Sequence, residues 1–233
     1  RVLLSYGSDA FAGKLRDLAV SAMTVGGFDG VLTLGPRHLD PSFVSANSRV
    51  LSERRGRGLW LWKPYIVNQT LAGLREGDVL MYADAQVSFV GAAEPLMRMA
   101  EGEASGVVSF EMASHAERKY TKRSVFGAVG CEDDAECKDT GQRCATFIVF
   151  RNGPESRRFV QEWLSLSARP DLITDGDVED EDDDFVAHRH DQSIYSLLCK
   201  REGIPGYRIP TQYGLEEGER HVQGEYGQIL LVK

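Results

Sequence analysis

Gly77-Asp78-Val79-Leu80-Met81-Tyr82-Ala83-Asp84-Ala85 is the stretch on which the fold turns. A Gly-Asp turn releases the chain into a short apolar run without alternation, which then delivers one carboxylate into small residues. Such a run reads as a strand buried on both faces, the environment of a parallel sheet covered by helices. Upstream, Pro64 suits the first turn of a helix through Ile66, Val67 and Leu71 to Leu74. Further back, Val2-Leu3-Leu4-Ser5-Tyr6 and Val31-Leu32-Thr33-Leu34 read as strands, separated by Leu15, Leu18, Ala19, Ala22 and Met23 at helical spacing. Downstream, Ala93 to Ala100 predicts a helix, Gly106 to Phe110 and Ala145 to Phe150 strands, Phe159 to Leu166 and Asp191 to Glu202 helices, and Gln228 to Val232 a late strand. The alternation predicts an α/β protein with a mostly parallel central sheet flanked by helices, in a single domain over 1–233.

The formal charge of −8 is local. Asp175, Asp177, Glu179, Asp180, Glu181, Asp182, Asp183 and Asp184 supply eight carboxylates in one stretch, and without them 27 acids face 27 bases. The balanced remainder offers no broad basic surface, so nucleic acid is excluded as a partner. The acidic stretch has too little apolar surface to order itself and is expected to be a mobile loop. No apolar run is long enough to span a bilayer. The chain opens with Arg1 and enters a strand at once, which suggests a trimmed leader, anchor or stem; the expected location is the secretory-pathway lumen (Golgi) in that case and the cytoplasm otherwise. Cys131 and Cys137 bracket a polar loop in the loosely patterned Glu111–Gly141 segment, as a bridge in an oxidising compartment or as free thiols.

Ligands of such sheets bind beyond the carboxyl ends of the strands, so polar residues there carry most weight. Ser5-Tyr6-Gly7 ends the first strand, where Tyr6 can flank a base, although a plain turn explains Gly7 equally. Asp84 ends the Val79 strand and fits a divalent cation on a diphosphate; the bland alternative is a turn-capping Asp. His188-Arg189-His190-Asp191-Gln192-Ser193 is a dense polar hexamer ahead of a helix, in which Asp191 also reads as an N-cap. Capping leaves the two histidines and the arginine unexplained. Activating a hydroxyl and neutralising a departing diphosphate both need groups of this kind. Lys63, among Trp60, Trp62 and Tyr65, and the Lys119 to Arg123 cluster near a helix start add cations, with a snorkelling lysine and a solvated face as the plain readings.

Taken in order, Gly58 to Ile66, Gly77 to Ala85, Tyr120 to Phe126, Gln142 and His188 to Ile194 resemble a family of small glycosyltransferases with the GT-A fold. Its members are found among uncharacterised bacterial, algal and large-DNA-virus proteins, the viral ones including domains that build capsid glycans. The resemblance implies a UDP- or GDP-linked sugar donor across the ends of the first strands and a glycan or other hydroxyl acceptor. It implies a divalent metal, Mn2+ or Mg2+, on Asp84, with His188 or His190 as the further ligand. The departure from the fuller Asp-x-Asp motif, with Tyr82 in the first position, puts metal dependence in question. Asp191 is expected to be the catalytic carboxylate with Gln192 beside it, as general base or as an Asp-Gln pair lining the sugar. Ser5, Tyr6, Lys63, Lys122, Arg123, Gln142 and His190 are expected around the donor. The rival readings are a nucleotide-sugar or carbohydrate-binding protein that has lost turnover, and a nucleotidyltransferase, whose glycine- and lysine-rich loop is only faintly echoed by Gly7 to Lys14.

Overall fold

A computed structural model describes residues 1–175, 181–215 and 226–233. The central sheet contains β1 (Val2–Tyr6), β2 (Gly30–Leu34), β3 (Val79–Ala83), β5 (Val107–Ala116), β6 (Gly141–Arg143), β7 (Phe147–Arg151) and β8 (Gly206–Arg208). Their order is β2-β1-β3-β7-β5-β6, with β8 also paired to β5. β1, β2, β3, β5 and β8 run one way and β6 and β7 the other, so the sheet is mostly parallel. The remaining strands, β4 (Val87–Phe89) and β9 (Leu230–Val232), pair antiparallel with each other outside it. The late strand thus forms, but in a two-stranded pair with β4 rather than as part of the central sheet.

Every residue of β3 is buried, and the two-residue period of a strand divides its side chains between two cores. Leu80 and Tyr82 join the layer built on the helices Trp62–Gly73, Pro154–Ser167 and Asp191–Arg201. Val79, Met81 and Ala83 join the layer under the helices Ala12–Ser21 and Glu94–Gly102. β1 and β7 divide likewise, Leu4, Ile148 and Phe150 to the first side and Leu3, Phe147 and Val149 to the second. No helix among the described residues is long and apolar enough to cross a membrane.

The loosely patterned segment is more ordered than its composition suggests. It holds the end of β5 and the helices Glu117–Tyr120, Arg123–Val129 and Ala135–Asp139. Cys131 and Cys137 are buried, unbridged thiols, as are Cys144 and Cys199. Of the acidic stretch, residues 176–180 lie outside the described residues; of the others, Glu181, Asp182 and Asp184 are docked rather than free. Glu181 accepts the Arg123 backbone N–H at 2.7 Å, Asp182 the Arg123 guanidinium at 3.0 Å, and Asp184 lies 3.0 Å from Arg118 and 3.5 Å from Lys119. Basic partners supply the order that apolar burial does not.

Candidate active site

β1 and β3 run parallel, so Tyr6 and Asp84 leave the sheet at the same edge. Asp84 donates its backbone N–H to Thr146 O at 2.8 Å and accepts at its own carbonyl from Val87 N at 3.0 Å, a turn that fixes where its carboxylate lies. The Tyr82 hydroxyl donates to Asp84 Oδ1 at 2.5 Å. Lys63 enters from the first turn of the helix covering β3, with its side chain 4% exposed. It does not snorkel. Its ammonium lies 3.5 Å from Asp84 Oδ1 and 3.3 Å from Asp191 Oδ2, and donates to Ala145 O at 2.9 Å. Residues far apart in the chain therefore meet at one cation.

Removal from water opposes the Lys63 charge, but the two carboxylates outweigh it and its pKa lies above the ordinary lysine range. Burial pushes the Asp191 carboxyl up to about 7, Lys63 opposing the shift and Asp84 adding to it. The site is thus one ammonium shared by two carboxylates that differ in exposure. Asp84 lines the cleft, whereas Asp191 is 2% exposed and sits behind Lys63. Asp191, expected as the catalytic carboxylate, is thus withdrawn from the cleft, and Asp84 is the carboxylate that the cleft exposes. Nor is Asp191 an N-cap: it is the first helical residue, preceded by His190 at φ 54°, ψ −118°, a backbone region rarely open to non-glycine residues.

The neighbouring residues divide in the same way. Gln192 is held by the backbone N–H of Ala145 at 3.0 Å and donates to Gln142 Oε1 at 2.7 Å. Gln142 is fully buried and donates to Glu117, Thr121 and Ser193. Glu117, also fully buried, is paired with Lys200 at 2.8 Å. Gln142 thus positions Gln192 rather than facing the cleft. Ser5 is fully buried within β1; Tyr6 lines the cleft with its ring stacked 4.0 Å from that of Trp62. Lys122 donates to Thr174 O at 2.6 Å, and Arg123 faces its own acidic partners, so neither lines the cleft. The helix start expected to hold phosphate already holds Glu181.

These donors leave little for the implied metal. His188 shares its Nε2 proton with Leu172 O at 2.9 Å and accepts the Lys122 N–H at Nδ1. His190 bonds Ile173 O through Nδ1 at 2.7 Å, and its Nε2 lies 3.9 Å from Asp175. Burial lowers the pKa of both rings. Neither histidine joins Asp84, and no group of three His, Cys, Asp or Glu among the described residues is arranged to hold a metal ion. The one carboxylate on offer already faces an ammonium. The expected metal-ligand set of Asp84, His188 and His190 does not fit.

Arg54 and Arg57, residues without a role in the sequence reading, line the cleft with Tyr6, Ser8, Trp60 and Asp84. The cleft holds about 450 Å³ and continues into hollows of about 560 and 470 Å³, with Arg57 lining all three. Arg57 stands in a left-handed turn: Gly56, Arg57, Gly58, Leu59 and Trp60 all have positive φ. The non-glycine residues each cost roughly 1–2 kcal/mol in this conformation. The Trp62 indole N–H on Gly56 O at 2.9 Å and Gly58 N on Glu53 O at 2.8 Å hold the turn. The sequence signal was Arg54-Arg55-Gly56-Arg57-Gly58, cations interleaved with glycines.

Solved structures share the fold. Mouse xyloside xylosyltransferase 1 superposes with a TM-score of 0.51 at 8% identity, covering 100% of this chain and 97% of that one. The chain has a GT-A glycosyltransferase fold. Weaker similarities are to the galactosyltransferase LgtC, with TM-score 0.44, 13% identity and coverage of 85% and 70%, and to GlyE of Streptococcus pneumoniae, with TM-score 0.42, 15% identity and coverage of 85% and 43%. No family model matches the sequence, and no curated protein matches it. In the GT-A sheet, the Asp84 cleft lies at the carboxyl edge of β1 and β3, where open α/β sheets bind ligands.

Proposed function

We propose that the protein transfers a glycosyl group from a nucleotide-sugar donor to an acceptor hydroxyl. The observation that carries this reading is the Asp84–Lys63–Asp191 cluster beneath a cleft on the ligand-binding edge of a GT-A sheet. In the step, the acceptor oxygen bonds to the anomeric carbon while the bond from that carbon to the diphosphate breaks. The electron pair leaves with the diphosphate oxygen. Asp84, the carboxylate facing the cleft, takes the hydroxyl proton. Asp191, ionised above about pH 7, then remains as the counter-ion of Lys63, which keeps the ammonium paired there. Asp191 is a positioning residue on this reading, and Gln192, held by Gln142 and Ala145, fixes the start of its helix.

The test is transfer from a panel of UDP- and GDP-linked sugars to simple glycoside acceptors, read as nucleoside diphosphate release. Asp84→Asn should lose roughly 10²- to 10⁴-fold in turnover while still binding the diphosphate. The deep burial of Asp191 also favours a protein that binds the donor without turning it over. Specific binding with no release for any donor would select that second reading. Absence of nucleotide binding would remove both.

A further inference from the structure

The cluster and the left-handed turn together bear on how a diphosphate is held. Asp84 Oδ1 already receives the Tyr82 hydroxyl and faces the Lys63 ammonium at 3.5 Å. A divalent cation on this carboxylate would sit beside a buried positive charge that has no room to retreat, since Lys63 is 3% exposed. In the same cleft, Arg54 and Arg57 are exposed, and neither makes an ion pair among the described residues. The neighbouring Arg55, by contrast, is turned to Asp175 at 3.9 Å.

The turn explains why Arg57 in particular faces the cleft. Residues 56–60 wind left-handed while Gly58 and Leu59 remain buried, which leaves Arg57 on the outer side, where the hollows meet. A Cβ on Gly58 would come within 2.8 Å of Leu51 Cα, and one on Gly56 within 2.4 Å of the Trp60 ring. The path is thus set by close packing on both sides. A guanidinium presented this way offers forked donors to phosphate oxygens without competing with Lys63 for Asp84.

Resting on the nucleotide-sugar reading above, we infer that Arg57, aided by Arg54, takes the charge of the departing diphosphate, and that donor binding needs no divalent cation. The protein recognises the diphosphate by its own arginines.

The experiment is calorimetric titration of the intact chain with UDP, GDP and the corresponding monophosphates, in EDTA and in Mn2+. The expected result is diphosphate binding in EDTA within threefold of that in Mn2+. Arg57→Ala should weaken it at least tenfold, Arg57→Lys should recover part of the loss, and monophosphate binding should change far less. Unliganded melting temperatures confirm that the variants fold, and Arg54→Ala, outside the left-handed turn, gives a second reading with a smaller loss. Binding that requires Mn2+ and disappears in Asp84→Asn would overturn the inference while leaving the nucleotide-sugar reading intact. Binding in EDTA that is indifferent to both arginines would overturn the role of Arg57. No nucleotide binding under any condition would overturn both.

Discussion

At the residue scale, Asp191 is the group whose protonation the fold changes most usefully. Its ordinary carboxylate range lies near 4, and burial raises it to about 7 in the folded chain. Between those values the folded state holds a proton that the unfolded state has released. The contribution to stability is therefore present in full below about pH 4 and is lost as pH rises through 7. Asp191→Asn removes it. The melting temperature of the variant relative to the native chain should rise between about pH 5 and pH 8; a constant difference would show that Asp191 does not titrate in this window. Lys63 is the complementary case. Lys63→Met leaves two carboxylates without their shared cation and should cost roughly 3–5 kcal/mol in denaturant unfolding, the usual penalty for breaking a buried pair on one side.

At the scale of elements, the site depends on how the Trp62–Gly73 helix begins. The left-handed turn before it sets both the exit of Arg57 and the entry of Lys63, whose N–H donates to Trp60 O at 2.8 Å. Gly58 stands at φ 95° against Leu51, so Gly58→Ala should destabilise by more than about 1 kcal/mol, and the loss of diphosphate binding should exceed that of a surface control. Unchanged stability would mean that the turn can relax. At the other end of the site, Glu117 anchors the Asp191–Arg201 helix by pairing with Lys200 and accepting from Gln142, with no exposure to solvent. Glu117 was invisible in the sequence, because it lies in a segment of mixed polarity with no period of either kind.

At the scale of the whole molecule, the cleft lies where parallel strands end together, and occupancy of it should be visible as global stability. A diphosphate at a hundred times its Kd should add about 2.7 kcal/mol, measured as a rise in melting temperature; no rise would place binding elsewhere or nowhere. Five of the seven strands of the sheet were legible in the sequence, β6 and β8 being too short and polar to stand out: Val79 to Ala83 is apolar without alternation, and a strand with that composition is stable only with helices on both faces. It also marked Asp84 and Asp191, since strand ends and helix starts are where polar residues stand out against an apolar pattern. What it left open was which cations serve them. Lys63, Lys122 and Arg123 look alike as charges in a string, yet one is shared by two carboxylates, one is bonded to a backbone carbonyl, and one faces acids from its own chain. Arg57 was passed over because its position depends on backbone angles that no periodicity encodes. The tertiary structure alone decided these assignments, because an ionic group acts through its distance from other charges and from water, and both are set only when segments remote in the chain pack together.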